Sequence, residues 1–487
     1  MENKLKINSI LNLIKTLSSI IFPLITFPYI SRVLKPENIG KINFATSYIS
    51  YFSLIAMLGL STYAIRECSK VRDNKNDLEK ISSQLFSINI ITTVFSMILL
   101  AISLVLFRKL DSYKLLIGIY SANILFNSLG TDWINTALED FKYITLRTIF
   151  FQIISLLLMF LFIHNENDYY KYAIISIISS CGANILNINY RRKYCKITFT
   201  FKTEIKKHIK PIFYLFVMNL SLIIFGSSDI TMLGIYKGNY DVGIYSTANK
   251  IQNLINQLVS SLLYVLIPRL SYMFKDENYE KINTLLRKVL NIFITLGLPC
   301  FIGVISLSKE IILLIAGNEY LLAALPLKIL MFSFLFSLVG GSFLGNIVLL
   351  PSGHEKKYML ITCIATTINV LLNLYFIPKF GANGAAFTTA IASFIIMTLL
   401  IINTDKRIKI TNKLKIFISP IVGCFAIWIV CLIIKQIFNN LYIKMFLAIT
   451  FSCLCYTIVL AVMKNEVLID ILKTIKNRFN KEGNNGE

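Results

Sequence analysis

The sequence predicts an all-α integral membrane protein, with about fourteen transmembrane helices in two pseudo-symmetric six-helix lobes followed by two C-terminal helices. Three observations carry this expectation. First, 55% of the 487 residues are hydrophobic and only 15% are charged, with a mean hydropathy of +0.66; a soluble globular chain carries about 25% charged residues. Second, the apolar residues form continuous runs of bilayer-spanning length, about 20 residues each. Third, the order of runs and turns in the first half recurs in the second.

The runs lie near 9–31, 42–64, 83–106, 114–131, 143–163, 170–189, 211–236, 243–267, 289–308, 323–350, 358–377, 383–402, 416–434 and 443–463. They are uninterrupted rather than alternating over about ten residues, which excludes a β-barrel pattern. The first carries Lys15, is long enough to span and lacks a small-residue cleavage site, so it reads as a span and not as a cleaved signal. Charge sets the orientation. With both termini inside, and residues at span ends counted with the adjoining loop, cytoplasmic segments hold 34 of the 49 Lys and Arg residues and outer loops hold 12. Only Lys15, Lys250 and Lys328 remain within spans. This is the positive-inside asymmetry.

The most basic loop, 190–210, carries Arg191, Arg192, Lys193, Lys196, Lys202, Lys206, Lys207 and Lys210. It separates an N-lobe (1–190, spans 1–6) from a C-lobe (211–402, spans 7–12); spans 13–14 occupy 403–463 and a basic tail 464–487. The formal charge of +23 is then accounted for by cytoplasmic loops facing anionic lipid, without nucleic acid. The expected location is the bacterial cytoplasmic membrane. Once the native cysteines are removed, a single cysteine placed in 190–210 is expected to be shielded from an impermeant thiol reagent in intact cells. Labelling from outside would reverse the orientation.

The nine cysteines are scattered without zinc or redox spacing, and the three histidines lie far apart, so neither a metal, a cofactor nor a hydrolytic site is indicated. The stretch "NLYFIPKFGANGAAFTTA" (373–390) raises a glycine-loop reading, but it lacks the preceding strand, the fuller glycine pattern and the phosphate partner of a nucleotide site. It reads instead as a junction between two spans: Pro378 ends one, Gly381 and Gly384 supply permissive backbone, and Ala385 and Ala386 allow close packing.

Two pairs of segments match across the halves. "VLKPENIGKINFATSYIS" (33–50) and "IYKGNYDVGIYSTANKIQ" (235–252) each place a turn and a glycine, Gly40 and Gly243, before a helix, 203 residues apart. "ALEDFKYITLRTIF" (137–150) and "PSGHEKKYMLITCI" (351–364) each form a short polar turn between two spans. An even number of spans separates the copies, so they point the same way through the bilayer, as parallel repeats about an axis along the membrane normal.

With "FPLITFPYISRVLKPENIGKINFA" (22–45), "GLSTYAIREC" (59–68), "DITMLGIYKGNYDVGIYSTANKI" (229–251), "PSGHEKKY" (351–358) and the junction at 373–390, nearly the whole chain resembles the Wzx-like oligosaccharide flippases. These are relatives of the lipid II flippases and of the multidrug and toxin extrusion (MATE) transporters. The junction resembles the family's in Asn373, Pro378, Gly381 and Gly384 to Ala386. The resemblance implies a MATE-like fold that moves undecaprenyl-diphosphate-linked oligosaccharide from the cytoplasmic to the outer leaflet. It implies as partners the lipid-linked substrate, the bilayer, a polysaccharide polymerase and glycosyltransferases.

Such a cargo needs cations for its diphosphate and hydroxyls and amides for its sugars. The eighth span offers Asn249, Asn253, Asn256, Gln257 and Ser260 at helical spacing, flanked by Lys250 and Gln252. These form either a cavity wall or a hydrogen-bonded packing seam, since amides serve both. The repeat mate carries Asn43, Ser47, Ser50 and Ser53, a thinner version of the same face. Lys15, Arg66 and Arg269 are candidates for a cationic inner mouth, the arginines serving equally as positive-inside anchors. Lys15 has no obvious carboxylate neighbour in the sequence. Asp229, late in span 7, and Lys250, early in span 8, lie at similar depth; they are expected to pair, with an ion-coupling role for Asp229 as the alternative. Drug or cation extrusion would favour buried carboxylates over buried cations, and a polymerase or ligase would need a long outer loop that this chain lacks.

Overall fold

The structure is a computed structural model. It describes residues 2–470 and 473, apart from 202, 262–269, 271, 275, 277, 406 and 409–414. The described residues form helices and connecting loops, with no strand among them. Ten of the helical stretches are long and apolar enough to cross a membrane. By contact the chain divides into two compact units, residues 1–246 with 373–381, and residues 247–372 with 382–487.

The first unit opens with α1 (Glu2–Met57), which breaks at Lys35 (φ 62, ψ 168). The ring of Pro36 excludes helical backbone from the residue before it, so one merged helix supplies the first two expected crossings. The break is tied down by Lys35 Nζ to Glu166 Oε2 at 2.9 Å and by Asn38 Nδ2 donating to the Glu166 carbonyl at 2.8 Å. Then follow α2 (Leu60–Lys70), α3 (Lys75–Leu106), α4 (Lys114–Gly130), α5 (Asp132–Ala137), α6 (Phe141–Phe162), α7 (Tyr169–Tyr190), α8 (Ile205–Tyr236) and α9 (Asn239–Ser261), the last running past Ser246 into the second unit. The expected fourth and eighth spans, α4 and α9, are not among the ten apolar stretches. α4 is only 17 residues long, and α9 carries the amides.

α3 shows the inverted polarity of a membrane helix. Val94, Phe95, Ile98 and Ile102 are exposed, while Ser82, Ser87, Asn89, Thr93 and Ser96 are buried. In a lipid solvent apolar side chains gain nothing by facing one another, so small hydroxyl and amide groups join the helices. Asn89 Nδ2 donates to the Ala56 carbonyl at 2.9 Å, Ser96 Oγ to that of Phe52 at 2.6 Å, and Thr93 and Ser128 hydroxyls meet at 2.6 Å. The basic loop after α7 lies extended along the same helix. The backbone N–H groups of Lys196, Thr198 and Thr200 donate to Glu79 Oε1, Ser83 Oγ and Ser87 Oγ at 2.9, 3.1 and 2.8 Å. Alternate residues of an extended chain advance about 6.6 Å and one helical step of four about 6 Å, so the two periods stay in register over the two steps that join these three contacts.

The second unit continues with α10 (Tyr279–Ser306), α11 (Ser308–Ile315), α12 (Ala324–Ser337), a π-helical segment (Leu338–Leu349), α13 (Glu355–Asn403), α14 (Lys415–Ile437) and α15 (Leu441–Val462). Residues 373–381 of α13 belong to the first unit. α14 and α15 pack through Ile427, Cys431, Ile434, Met445, Ala448 and Tyr456 against Leu307, and Tyr456 Oη donates to the Thr295 carbonyl of α10 at 2.6 Å. Lys435 pairs with Glu310 at 3.0 Å.

The 373–390 stretch is the expected junction of two helices, with one change of detail. Pro378 lies inside the helix and the break falls three residues later, at Gly381 (φ 55, ψ −133). Pro378 sits in the last turn before the bend, where its ring kinks the helix without ending it, whereas positive φ is cheap only for glycine. A Cβ at Gly381 would also overlap Asp241 Oδ1.

Candidate functional site

Three polar clusters lie in the first unit, and one polar face lies on the part of α9 in the second. The first cluster is formed by the repeated segments themselves. A Cβ on Gly40 would overlap the Asn239 carbonyl, and a Cβ on Gly243 would overlap the Pro36 carbonyl. The offset of 203 residues carries Gly40 onto Gly243 and Pro36 onto Asn239, so these are one contact made twice. Asn43 Nδ2 donates to Ser246 Oγ at 2.8 Å, and the two are again 203 residues apart. A residue that meets its own repeat mate, flanked by reciprocal contacts, marks a local two-fold axis between the segments. Glycine is required at both positions because backbone meets backbone.

The Asn43 face continues as a seam, not a wall. Ser47 Oγ donates to the Ser227 carbonyl at 2.8 Å, Ser47 and Thr231 hydroxyls meet at 2.9 Å, and Ser50 and Ser227 at 3.1 Å. For the first repeat, interhelical bonding absorbs the polar side chains that a wall would have offered.

The second cluster centres on Asp229, which is 2% exposed. Tyr245 Oη donates to its Oδ2 at 2.5 Å, and Asn373 Nδ2 donates to Oδ1 at 2.6 Å. Both donors are buried. Hydrogen bonds to an ionised carboxylate are shorter and about twice as strong as neutral ones, so the pair holds the carboxylate in a fixed orientation. Asn373 comes from 144 residues away; the break at Gly381 follows it by two helical turns. Lys250, the expected partner of Asp229, belongs to the second unit.

The third cluster surrounds Lys15. This residue is half-buried and lies close enough to Asp132 and Arg147 to feel both charges. The carboxylate that the sequence did not reveal is therefore present, brought in by α5. Arg147 Nη2 is 2.6 Å from Asp132 Oδ1, with the arginine side chain 3% and the aspartate side chain 48% exposed. Sequence reading missed this pair because Arg147 sits four residues into the fifth expected span and was counted with the loop. Arg66 is elsewhere: it is exposed, pairs with Glu67 at 3.2 Å and lies over the Tyr63 ring, as a surface anchor would. Arg269 lies outside the described residues.

On α9, Asn253 and Gln257 are exposed, and Asn249 and Asn256 are partly so. Asn253 Nδ2 donates to Asn249 Oδ1 at 3.0 Å, Ser260 Oγ to Asn256 Oδ1 at 3.3 Å, and Ser260 meets Ser342 of the π-helical segment at 3.0 Å. The amides thus bond along their own helix and leave an exposed polar face.

Apolar side chains turned outward, hydroxyls and amides turned inward, and charged groups among span-length helices define a multi-pass membrane protein with a polar interior. The fold agrees. The lipid II flippase MurJ in an inward closed conformation superposes with a TM-score of 0.75 at 17% identity, covering 95% of this chain and 99% of that one. An inward-facing MATE-family multidrug resistance transporter gives 0.58 at 15% identity, covering 86% and 95%. The chain belongs to the polysaccharide biosynthesis protein family, whose model matches residues 5–274. It is 23% identical to the "Putative O-antigen transporter" of Escherichia coli (strain K12) over 79% of this chain and 92% of the relative. It is 28% identical to the capsular polysaccharide biosynthesis protein CapF of Staphylococcus aureus over 75% and 90%.

Proposed function

We propose that the protein is a flippase that carries undecaprenyl-diphosphate-linked oligosaccharide repeat units from the cytoplasmic to the outer leaflet by alternating access, for surface polysaccharide biosynthesis. The observation that carries this reading is the exposed amide face of α9. Asn253 and Gln257 stand on a bilayer-length helix, where amides facing hydrocarbon would cost several kcal/mol (roughly, per unsatisfied group). They therefore line a wet path, and amides are the groups that hydrogen-bond sugar hydroxyls. The names of the relatives, an O-antigen transporter and a capsular polysaccharide biosynthesis protein, support the same class of cargo. Lys15 receives the diphosphate during loading, on the cytoplasmic side in the orientation that the basic loops favour. Both termini are then cytoplasmic, lobes 1–190 and 211–402 rock about the repeat axis, and polymerase and glycosyltransferases act on either side of the step.

The contact of 36–43 with 239–246 is the closed outer gate in this reading. Backbone packed on backbone through glycine separates without unlocking long side chains, which suits a gate that opens on each cycle. Two experiments test the proposal. Deletion of the protein is expected to accumulate the lipid-linked oligosaccharide on the cytoplasmic side; a strain that accumulates none, or one that loses only drug tolerance, overturns the cargo. In a cysteine-free background, Asn43→Cys with Ser246→Cys is expected to arrest transport on oxidation and recover it on reduction. Continued transport with the bridge formed would remove this contact from the gate.

A further inference from the structure

The Lys15 cluster holds an arginine whose donors are poorly met. Arg147 Nη1 donates to the Ala183 carbonyl at 3.0 Å, and the guanidinium lies over the Tyr143 ring. Nη2 is within ion-pair distance of Asp132 yet off the line a hydrogen bond requires, and Nε has no hydrogen-bond partner. Nε and Nη2 form the edge by which arginine grips a carboxylate or phosphate with two parallel bonds. Here that edge is buried behind one carboxylate that reaches it with one oxygen.

Asp132 itself is half-exposed at the start of α5, whose Trp133, Ile134 and Ala137 are packed in the core and so leave the carboxylate at its edge. α5 has six residues and hangs between Thr131 (φ 47) and Glu139 (φ 60), both in the left-handed region that non-glycine residues rarely adopt. Arg191 Nη1 holds Thr131 there through its Oγ1 at 2.6 Å. Strained positions persist where the surroundings impose them, and they cluster at segments that switch. Two neutral amides also face Asp132: Asn187 Nδ2 at 3.3 Å and, with its amide turned to satisfy its surroundings, Asn184 at 3.2 Å from both oxygens. Lys15 and Arg147 thus set two cations against one carboxylate.

We infer that Asp132 is a displaceable counter-ion: it occupies Arg147 in the empty protein, and the diphosphate of the cargo takes its place, gripping the Nε/Nη2 edge with Lys15 alongside. This inference rests on the proposed diphosphate cargo. Asp132 keeps the cations from holding each other apart or binding stray anions, and it returns to Arg147 when the cargo leaves. It is a positioning residue, since it acts through Arg147.

The test uses the full chain in nanodiscs with farnesyl diphosphate as probe. Removing a competing half-exposed ion pair is expected to raise affinity, so Asp132→Asn should bind about twofold to fivefold tighter than wild type. Arg147→Gln should bind weakly, and adding Asp132→Asn to it should restore nothing. A merely structural pair predicts the opposite for Asp132→Asn, unchanged or weaker binding, and that result overturns the inference. Wild-type protein gives an independent readout if the variant folds poorly. Farnesyl diphosphate should increase deuterium uptake at 131–134 as the Asp132–Arg147 contact that pins the start of α5 is broken; unchanged or reduced uptake overturns the inference. Inorganic pyrophosphate should bind at least about tenfold more weakly for want of a chain, and equal affinity would overturn the lipid-linked source. Failure of wild type to bind farnesyl diphosphate at all would overturn the cargo reading itself, an outcome distinct from binding that Asp132→Asn leaves unimproved.

Discussion

Gly243→Val is expected to abolish polysaccharide export while leaving the protein in the membrane. The Cβ would overlap the Pro36 carbonyl, which is backbone and cannot rotate away, so helix α9 and the turn at Pro36 must separate. Overpacking of this kind costs about 2–3 kcal/mol, a shift of roughly 30-fold to 150-fold in a two-state equilibrium. The penalty falls only on the state with the gate closed, so it appears as a trapped conformation more than as unfolding. A cysteine at Asn43 should then react with an impermeant thiol reagent in the valine variant and react slowly with Gly243 intact. Gly40→Val should behave alike, because the repeat makes the same contact with Asn239. Normal export from either variant, or an unreactive Cys at 43, would show that the contact need not open.

Asp229→Asn is expected to stop transport, and Lys250→Gln added to it is expected to restore much of it. Asparagine keeps the shape of the carboxyl group but puts an NH2 group where one of its two oxygens accepted, so one of the bonds from Tyr245 and Asn373 is lost, about 1–2 kcal/mol. If Asp229 and Lys250 balance each other, the single changes each leave one charge uncompensated and the double change removes both. Their coupling then appears as a double variant better than either single one. If the carboxylate instead binds the coupling ion, no change at Lys250 replaces it. Flipping and membrane abundance measured in all three variants separate the cases: a double variant that is abundant but inactive decides for ion coupling. Tyr245→Phe provides the control, since it removes one donor while retaining the charge.

The crossing helices and the repeat were legible in the sequence because the bilayer leaves little freedom. Every buried backbone polar group must be satisfied within its own helix, so spans appear as long apolar runs whatever the tertiary arrangement. Gly40 and Gly243 stood out for a related reason, since backbone contact admits no side chain at either place. The break at Lys35 follows from Pro36, and the junction after Asn373 was read in the right place with Pro378 taken for the break that Gly381 makes.

What the amides and charges do was decided by the tertiary structure alone. Asn43, Ser47 and Ser50 look like the amides of α9 in sequence, yet the first set is spent on Ser246, Ser227 and Thr231 while Asn253 and Gln257 remain exposed. A polar side chain within a span has the same periodicity whether it faces water or a neighbouring helix, and only the neighbour distinguishes the two. Asn373 reaches Asp229 across 144 residues, and a six-residue helix brings Asp132 to Arg147 and Lys15. Sequence by itself determined which segments enter the membrane, because hydropathy is a property of each segment. The partners of the charges depend on which helices touch, and contact between distant segments is a property that only the folded chain possesses.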